Sequence, residues 1–266
     1  MLNNSYKIFQ IAIRFEGIKL VRIGLIFALV ALVWSGCDKP DQNIDAGRLN
    51  LSFSARYGTQ PFEALMPYGY GPVRSIKLSK LDFYITGITL LSTSGNVELD
   101  AVGLIDITGG NDQDRSVSLT GLKTWDYTGI RFMVGVKPDL NKKLPKDFKS
   151  NHPLSSASHY WEAWNSYIFS KIEGVLDTKG DKVYDLGFAV HTGTDACLEP
   201  VEIIKSFSLA DAQAFALNLD LDVEKIFLTN GLYFDLESSP LNHNPSNIAT
   251  LQLFAAHLAD AIQLKN

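Results

Sequence analysis

The sequence predicts a mostly β protein, an antiparallel β-sandwich or barrel-like domain with an amphipathic helix at its C-terminal end. Three observations lead to this fold class. Apolar and polar residues alternate over many short segments, Gly, Asn and Pro separate these segments, and helical spacing is clearest near the C-terminus. The roughly 220 residues from 48 to 266 are enough for a single domain with a sizeable core.

Six segments have the period of two that is typical of half-buried strands. In the first, RLNLSFSARY, one face carries Leu49, Leu51, Phe53, Ala55 and Tyr57. The others are LDFYITGITLL, SVSLTGL, GIRFMVGV, DLGFAVH and FALNLDLDV. Acidic residues alternate with apolar ones in or near these segments, and we predict that they lie on solvated strand faces or cap loops. They are Asp82, Asp100, Asp106 and Glu173.

Helix signals are few. PSNIATLQLFAAHLADAIQ places Ile248, Leu251, Phe254 and Leu258 at helical spacing after Ser246, which can act as a cap. SLADAQAF predicts a shorter helix. The segment from 138 to 158 is rich in Lys, Asn, Pro and Ser without a clear period, and we predict a long loop of the kind that is often functional.

Residues 1–37 have the layout of a secretory signal, in which a basic stretch precedes the apolar run IGLIFALVALVW and small residues. The run is too short for the roughly 20 residues that a membrane-spanning helix needs. Ser35-Gly36-Cys37 resembles a lipobox whose cysteine carries the lipid, and an ordinary cleaved signal is the alternative. Residues 38–47 are polar and predict a tether, which leaves residues 48–266 as one domain.

This layout predicts a periplasmic or outer-membrane lipoprotein of a Gram-negative bacterium, held at the membrane by its lipid. Removal of residues 1–37 takes away four basic residues and Glu16, and shifts the formal charge from −5 to −8. Such an acidic protein is a poor partner for nucleic acid. If Cys37 is acylated, Cys197 is the remaining thiol, so an intrachain disulfide cannot form.

The chemistry-bearing residues surround the aromatic stretch HYWEAWNSYIF. Three of the five histidines, His152, His159 and His191, are close to it or to the strand that follows. His191 closes DLGFAVH on the face of Gly187 and Ala189, whose small size leaves room for a ligand. Imidazole is a common ligand of copper, zinc and iron, while a hydrogen-bonded strand-edge histidine is the alternative.

Motifs of conventional enzymes are missing from the sequence. It contains no H-E-x-x-H and no G-x-S-x-G, and the order of His191 and Cys197 is the reverse of a blue-copper site. We therefore predict that the protein is not an enzyme. Taken alone, Trp161 and Trp164 indicate core packing, and Cys197 indicates a small buried residue.

Six segments in the same order resemble one family, the MbnP-like copper-binding proteins associated with methanobactin operons. They are KLDFYITGITLLSTSG, LIDITG, YTGIRFMVGVKPDLN, HPLSSASHYWEAWNSYIFSKIEG, GFAVHTG and LNLDLDVEKIF. The combination of HPL, YWEAWNSYIFSKIEG and VHTG is the most specific.

The resemblance implies a secreted, β-sandwich-like protein that binds copper through histidine. It also implies that a tryptophan, oxidised to kynurenine by a diheme cytochrome c peroxidase-like partner similar to MauG, is a further ligand. His191 of VHTG and His152 of HPL are the implied ligands, with His159 in reserve. Trp161 is the implied modified residue, and Trp164 is the second choice.

The alternative is a metal-free β-sandwich surface lipoprotein that binds a polymer or protein partner. Its contacts would be exposed aromatic residues such as Tyr68 and Tyr70 in MPYGYGP. Copper binding by the purified protein separates the two hypotheses.

Overall fold

The computed structural model describes residues 47–211 and 213–265. The predicted signal segment, Cys37 and the tether up to residue 46 lie outside these residues. The described chain is mostly β, and its two larger sheets remain open rather than closing into a barrel. The sandwich-like fold class is therefore confirmed.

The strands follow one another along the chain in this order: β1 (Gly47–Tyr57), β2 (Gln60–Pro61), β3 (Tyr68–Tyr70), β4 (Arg74–Leu91), β5 (Val97–Glu98), β6 (Gly103–Asp106), β7 (Ser116–Leu122), β8 (Asp126–Val134), β9 (Tyr160–Trp161), β10 (Ser166–Asp177), β11 (Leu186–Gly193), β12 (Glu199–Ser208), β13 (Ala214–Asp222), β14 (Leu228–Thr229), β15 (Leu232–Tyr233), β16 (Leu241–Asn242) and β17 (Ile262–Leu264). The α-helices are α1 (Pro138–Asn141) and α2 (Ile248–Asp260). Short 3₁₀ helices cover Pro145–Asp147, Pro153–Ser155, Ala157–His159, Glu162–Trp164, Asp195–Cys197, Val223–Phe227 and Pro245–Asn247.

The five-stranded sheet has the order β17-β13-β1-β2, and β7 also pairs with β1. The predicted alternation in β1 is confirmed, because Leu49, Leu51 and Phe53 are buried. Strand β13 pairs with β1 in parallel, which differs from the antiparallel prediction. The two strands are far apart in sequence, so no tight hairpin turn sets their relative direction.

The ten-stranded sheet has the order β12-β8-β4-β10-β11-β16. Strands β3, β5 and β6 pair with β4, and β9 pairs with β10. The two sheets face each other through aromatic contacts. The Phe53 ring of β1 lies edge-on to Phe83 of β4 and to Phe132 of β8, with ring centroids 5.7 and 6.3 Å apart.

The C-terminal helix is confirmed as α2, which buries Leu251, Phe254 and Leu258. Its predicted cap is wrong: Asn247 precedes the helix and makes no side-chain cap bond, while the Ser246 amide donates to Asn244 Oδ1. No helix in the described ranges is long and apolar enough to cross a membrane.

The shorter helix predicted for SLADAQAF is also wrong for the part of it that is described. Strand β12 continues through Ser208, and β13 begins at Ala214. Pairing of β12 with β8 and of β13 with β1 therefore outweighs the local helix propensity of the alanines.

The segment from 138 to 158 consists of α1 and short 3₁₀ helices joined by irregular chain. Two buried tyrosines of the large sheet fix its path. Tyr84 Oη donates to the Pro153 carbonyl at 3.0 Å, and Tyr167 Oη donates to the Leu154 carbonyl at 2.8 Å. This loop leads directly into β9.

Removal of the Phe53 ring tests the inter-sheet contact. Phe53→Ala leaves a cavity between the sheets, and we expect a loss of about 3–5 kcal/mol in the free energy of unfolding by urea. The control Ile204→Ala changes a residue that is 68% exposed, and should stay within about 0.5 kcal/mol of the wild type. Equal effects of the two substitutions would contradict this packing.

Candidate metal centre

His191 is held by a carboxylate on the neighbouring strand. In the antiparallel β10–β11 ladder, His191 lies opposite Lys171, and Glu173 is two residues further along β10 on the same face. Glu173 Oε1 lies 2.7 Å from His191 Nε2. In a neutral imidazole the Nε2 hydrogen donates to this carboxylate, and Nδ1 keeps its lone pair.

Burial lowers the pKa of His191 below its ordinary 6.5. The Glu173 hydrogen bond and charge raise this pKa, but they do not outweigh burial, and the neighbouring Lys171 and His243 lower it further. The imidazole is therefore neutral at pH 7, which is the form that binds a metal.

A hairpin from β9 to β10 brings Trp161 next to His191, and Trp164 stacks on Trp161. Trp161 pairs with Ser166, and Asn165 takes the left-handed conformation (φ 47°) that asparagine tolerates better than most residues. Trp161 and Trp164 stack with ring centroids 4.5 Å apart and planes 11° apart. A Cβ on Gly193 of β11 would lie 3.0 Å from Trp164 Cζ3, so glycine makes room for this ring.

His243 completes the arrangement and was missed by the sequence analysis. Strand β16 pairs in parallel with β11 through Val190 and Asn242, which places the next residue, His243, beside His191. Asn242 is fully buried, and its amide nitrogen donates to the Ser239 carbonyl at 2.6 Å. The backbone immediately before His243 is therefore held in place.

These side chains form an open pocket of about 320 Å³, which we call the histidine pocket. Its lining is Tyr160, Trp161, Ile168, His191 and His243. The centroid of the Trp161 ring lies 6.2 Å from that of His191 and 5.4 Å from that of His243. The two imidazole centroids are 6.0 Å apart.

This spacing suits two nitrogen ligands of one metal ion. A metal–nitrogen bond of about 2 Å puts the metal roughly 3 Å from each imidazole centre, so two rings on one metal lie at most about 6 Å apart. The described residues contain no group of three or more His, Cys, Asp or Glu side chains placed to hold a metal ion. The histidine pocket thus offers two imidazoles, with an indole as the third wall.

His152 is not among the residues that line the histidine pocket. Its Nδ1 accepts a hydrogen bond from the Leu154 amide at 3.1 Å, and its ring stacks on Phe148 with centroids 4.5 Å apart. Burial lowers its pKa, with a further contribution from Lys143. These contacts give His152 a structural role in the long loop.

His159 is buried beneath the same loop and also does not line the histidine pocket. Its Nε2 lies 3.0 Å from Asp82 Oδ2, and its Nδ1 lies 3.2 Å from Ser158 Oγ. Asp82 is 1% exposed, so the prediction of a solvated carboxylate is wrong. Burial alone would raise the pKa of Asp82, but His159 and Lys80 together hold it below 3.8.

Glu173 was predicted to lie on a solvated strand face, and its side chain is 37% exposed, but its pairing with His191 was not predicted. The sequence did hold a signal for this pairing, because the strand alternation puts Glu173 and His191 on the non-core face of their strands. By contrast, β16 is two residues long and has no period, so nothing in the sequence linked His243 to β11.

Cys197 is confirmed as buried, and burial raises the pKa of its thiol.

The fold and this pocket define a β-sandwich protein with a two-imidazole, tryptophan-walled surface site. The family model for MbnP matches residues 46–248, and the chain therefore belongs to the MbnP family. It is similar to the solved structure of MbnP from Methylosinus trichosporium, with 16% identity, coverage of 68% of this chain and 78% of that chain, and a TM-score of 0.46. The comparison with curated proteins found no match.

Glu173→Gln tests the control of His191 by its carboxylate partner. The carboxylate raises the pKa of His191, so its neutral replacement should lower that pKa further. NMR titration of the His191 ring measures the shift. Glu202→Gln is the control, because Glu202 pairs with Arg131 on another pair of strands. A higher or unchanged pKa of His191 in Glu173→Gln would show that the hydrogen bond does not act on this ring.

Proposed function

We propose that this protein is an extracytoplasmic copper-binding protein and that the histidine pocket is its copper site. The observation that carries the proposal is the convergence of His191, His243 and Trp161 from three separate segments on one pocket. Membership of the MbnP family supports the choice of metal, since the family is associated with copper and methanobactin. Imidazole nitrogens without thiolate suit copper.

Two nitrogen donors would hold the copper, one from each histidine. His191 would bind through Nδ1, because Glu173 occupies Nε2. A carboxylate behind a histidine fixes the ring orientation and raises the basicity of the nitrogen that binds the metal. The open face of the pocket gives the ion a path from solvent. Copper is the cargo here, and the protein is a carrier rather than an enzyme.

We also propose that Trp161 is oxidised to kynurenine and becomes the third ligand. Indole offers only an N–H donor, whereas kynurenine offers a ketone oxygen and an aniline nitrogen. Trp161 lies beside both imidazoles, and this position favours it over Trp164, whose ring stacks on Trp161 and lies close to Gly193. The half-buried Trp161 ring is accessible from the open pocket.

The oxidation needs an external oxidant, and a diheme cytochrome c peroxidase-like protein similar to MauG is the proposed partner. Hydrogen peroxide balances the reaction: two equivalents convert the indole to N-formylkynurenine by cleavage of the C2–C3 bond and leave two waters. Hydrolysis then releases formate and leaves kynurenine. In this reaction the protein is the substrate of its partner.

The proposed location is the periplasm or the outer membrane, with Cys37 as the lipid attachment point. The secretory layout of residues 1–37 supports this location. The alternative, a metal-free binding module, was predicted to use Tyr68 and Tyr70 as contacts. These side chains are only 6% and 0% exposed, so they are not available to a partner. Tyr68 instead stacks between Tyr57 and Phe62.

Alanine substitution of either pocket histidine tests the copper site. His191→Ala and His243→Ala each remove one of two nitrogen donors, and we expect at least about a hundredfold loss of copper affinity, measured by competition with a chromophoric chelator. The protein without either substitution should bind about one equivalent.

Two further variants serve as controls. His257 contacts the Ile226 carbonyl, and His152 contacts the Leu154 amide, so neither should change copper affinity when replaced by alanine. Full affinity in His243→Ala would remove that ring from the site. Loss of affinity in His152→Ala with retention in His243→Ala would restore the ligand set implied by the family resemblance.

A further inference from the structure

A second and larger pocket lies next to the histidine pocket. It measures about 920 Å³, and we call it the loop pocket. Its lining includes Lys146, Phe148, Ser155, Ala157, Tyr160 and Glu162. Tyr160 lines both pockets and forms a wall between them. The volume falls in the range of roughly 300–1,000 Å³ that is typical of small-molecule sites.

The segment that forms most of the loop pocket carries a positive formal charge, although the protein as a whole is acidic. Residues 142–162 carry four lysines, Lys142, Lys143, Lys146 and Lys149, against Asp147 and Glu162, a formal charge of +2 in a chain of −5. Lys146 is part of the lining, and Lys143 Nζ lies 5.8 Å from the ring centre of the lining residue Phe148. Glu162 is the one acidic lining residue and is exposed.

The lining also carries two aromatic rings, Phe148 and Tyr160, beside apolar residues such as Leu144 and Pro145. Phe148 is fixed by His152, which stacks on it with planes 19° apart. Tyr160 lies edge-on to Tyr167, with centroids 5.1 Å apart. Flat rings that are already held in place recognise another flat ring with little loss of side-chain entropy.

The backbone of the loop pocket is also held in place. Asp147 Oδ2 accepts from the Leu144 amide at 2.8 Å, and Ser155 Oγ donates to the Ser150 carbonyl at 3.0 Å. Leu154, fully buried between these segments, is tied to the sheet by the hydroxyl of Tyr167. A site that is formed before its ligand arrives binds without a large ordering cost.

We propose that the loop pocket binds a small organic anion that carries an aromatic ring. The ring packs against Phe148 and Tyr160, and the anionic group lies toward Lys146 and the neighbouring lysines. This site is separate from the copper site and does not require it. Because Tyr160 is shared, the bound anion contacts the residue next to Trp161.

The probe is 8-anilino-1-naphthalenesulfonate, an aromatic sulfonate, compared with N-phenyl-1-naphthylamine, which is the same molecule without the sulfonate. Both are titrated by their own fluorescence into metal-free full-length protein, so the result is independent of copper binding. We expect saturable binding of the sulfonate at one site, about fivefold or more tighter than the neutral dye and weaker at high salt.

Two variants assign the binding to the loop pocket. Ala157→Trp fills the pocket from an exposed lining position and should weaken sulfonate binding more than tenfold. Lys146→Glu reverses the lining charge and should weaken it about three- to tenfold while leaving the neutral dye unchanged. Ala249→Trp and Lys205→Glu are the matched controls, since both residues are exposed and outside the lining.

Thermal unfolding of every variant separates loss of binding from loss of folding. The proposal is overturned if the wild-type protein does not bind the sulfonate saturably, or if folded Ala157→Trp and Lys146→Glu bind it as the wild type does. Equal affinity for the sulfonate and the neutral dye would overturn the anion preference.

Discussion

The hydrogen bond between His191 and Glu173 across the β10–β11 ladder is the interaction on which the candidate site depends. It fixes the ring of His191 and leaves Nδ1 free. The other walls are built onto the same two strands. Strand β9 pairs with β10 and brings Trp161, while β16 pairs with β11 and brings His243. Backbone pairing therefore aligns three side chains from distant parts of the sequence.

Four of the five histidines fall into distinct structural settings. His159 lies within a buried network with Asp82 and Lys80, where its two ring nitrogens already have partners. His152 supports the long loop through Phe148. His191 and His243 share an open pocket whose third wall is an indole. The pairing of two histidines with a tryptophan explains how oxidation of a single residue would convert a two-nitrogen site into a three-ligand site.

The fold class was predictable because the period of two is a local signal and it persists through β1, β4, β11 and β13. The C-terminal helix was predictable because its three-to-four spacing of apolar residues is also a local signal. The candidate site was predictable in part: His191 and Trp161 lie on or beside regular strands. His243 was not predictable, because the strand before it, β16, is only two residues long and its position depends on long-range pairing with β11. Burial of Asp82 was missed because β4 is covered on both faces near its centre, where alternation no longer indicates solvent.

We propose that oxidised Trp161 becomes a copper ligand beside His191 and His243. The most direct measurement is tandem mass spectrometry of the peptide holding Trp161 and Trp164, with copper analysis of the same protein purified from its native membrane. We expect bound copper and a gain of one oxygen with loss of one carbon at Trp161, or a gain of two oxygens if the formyl group remains. Unmodified Trp161 in copper-loaded protein, or modification at Trp164 instead, would contradict it.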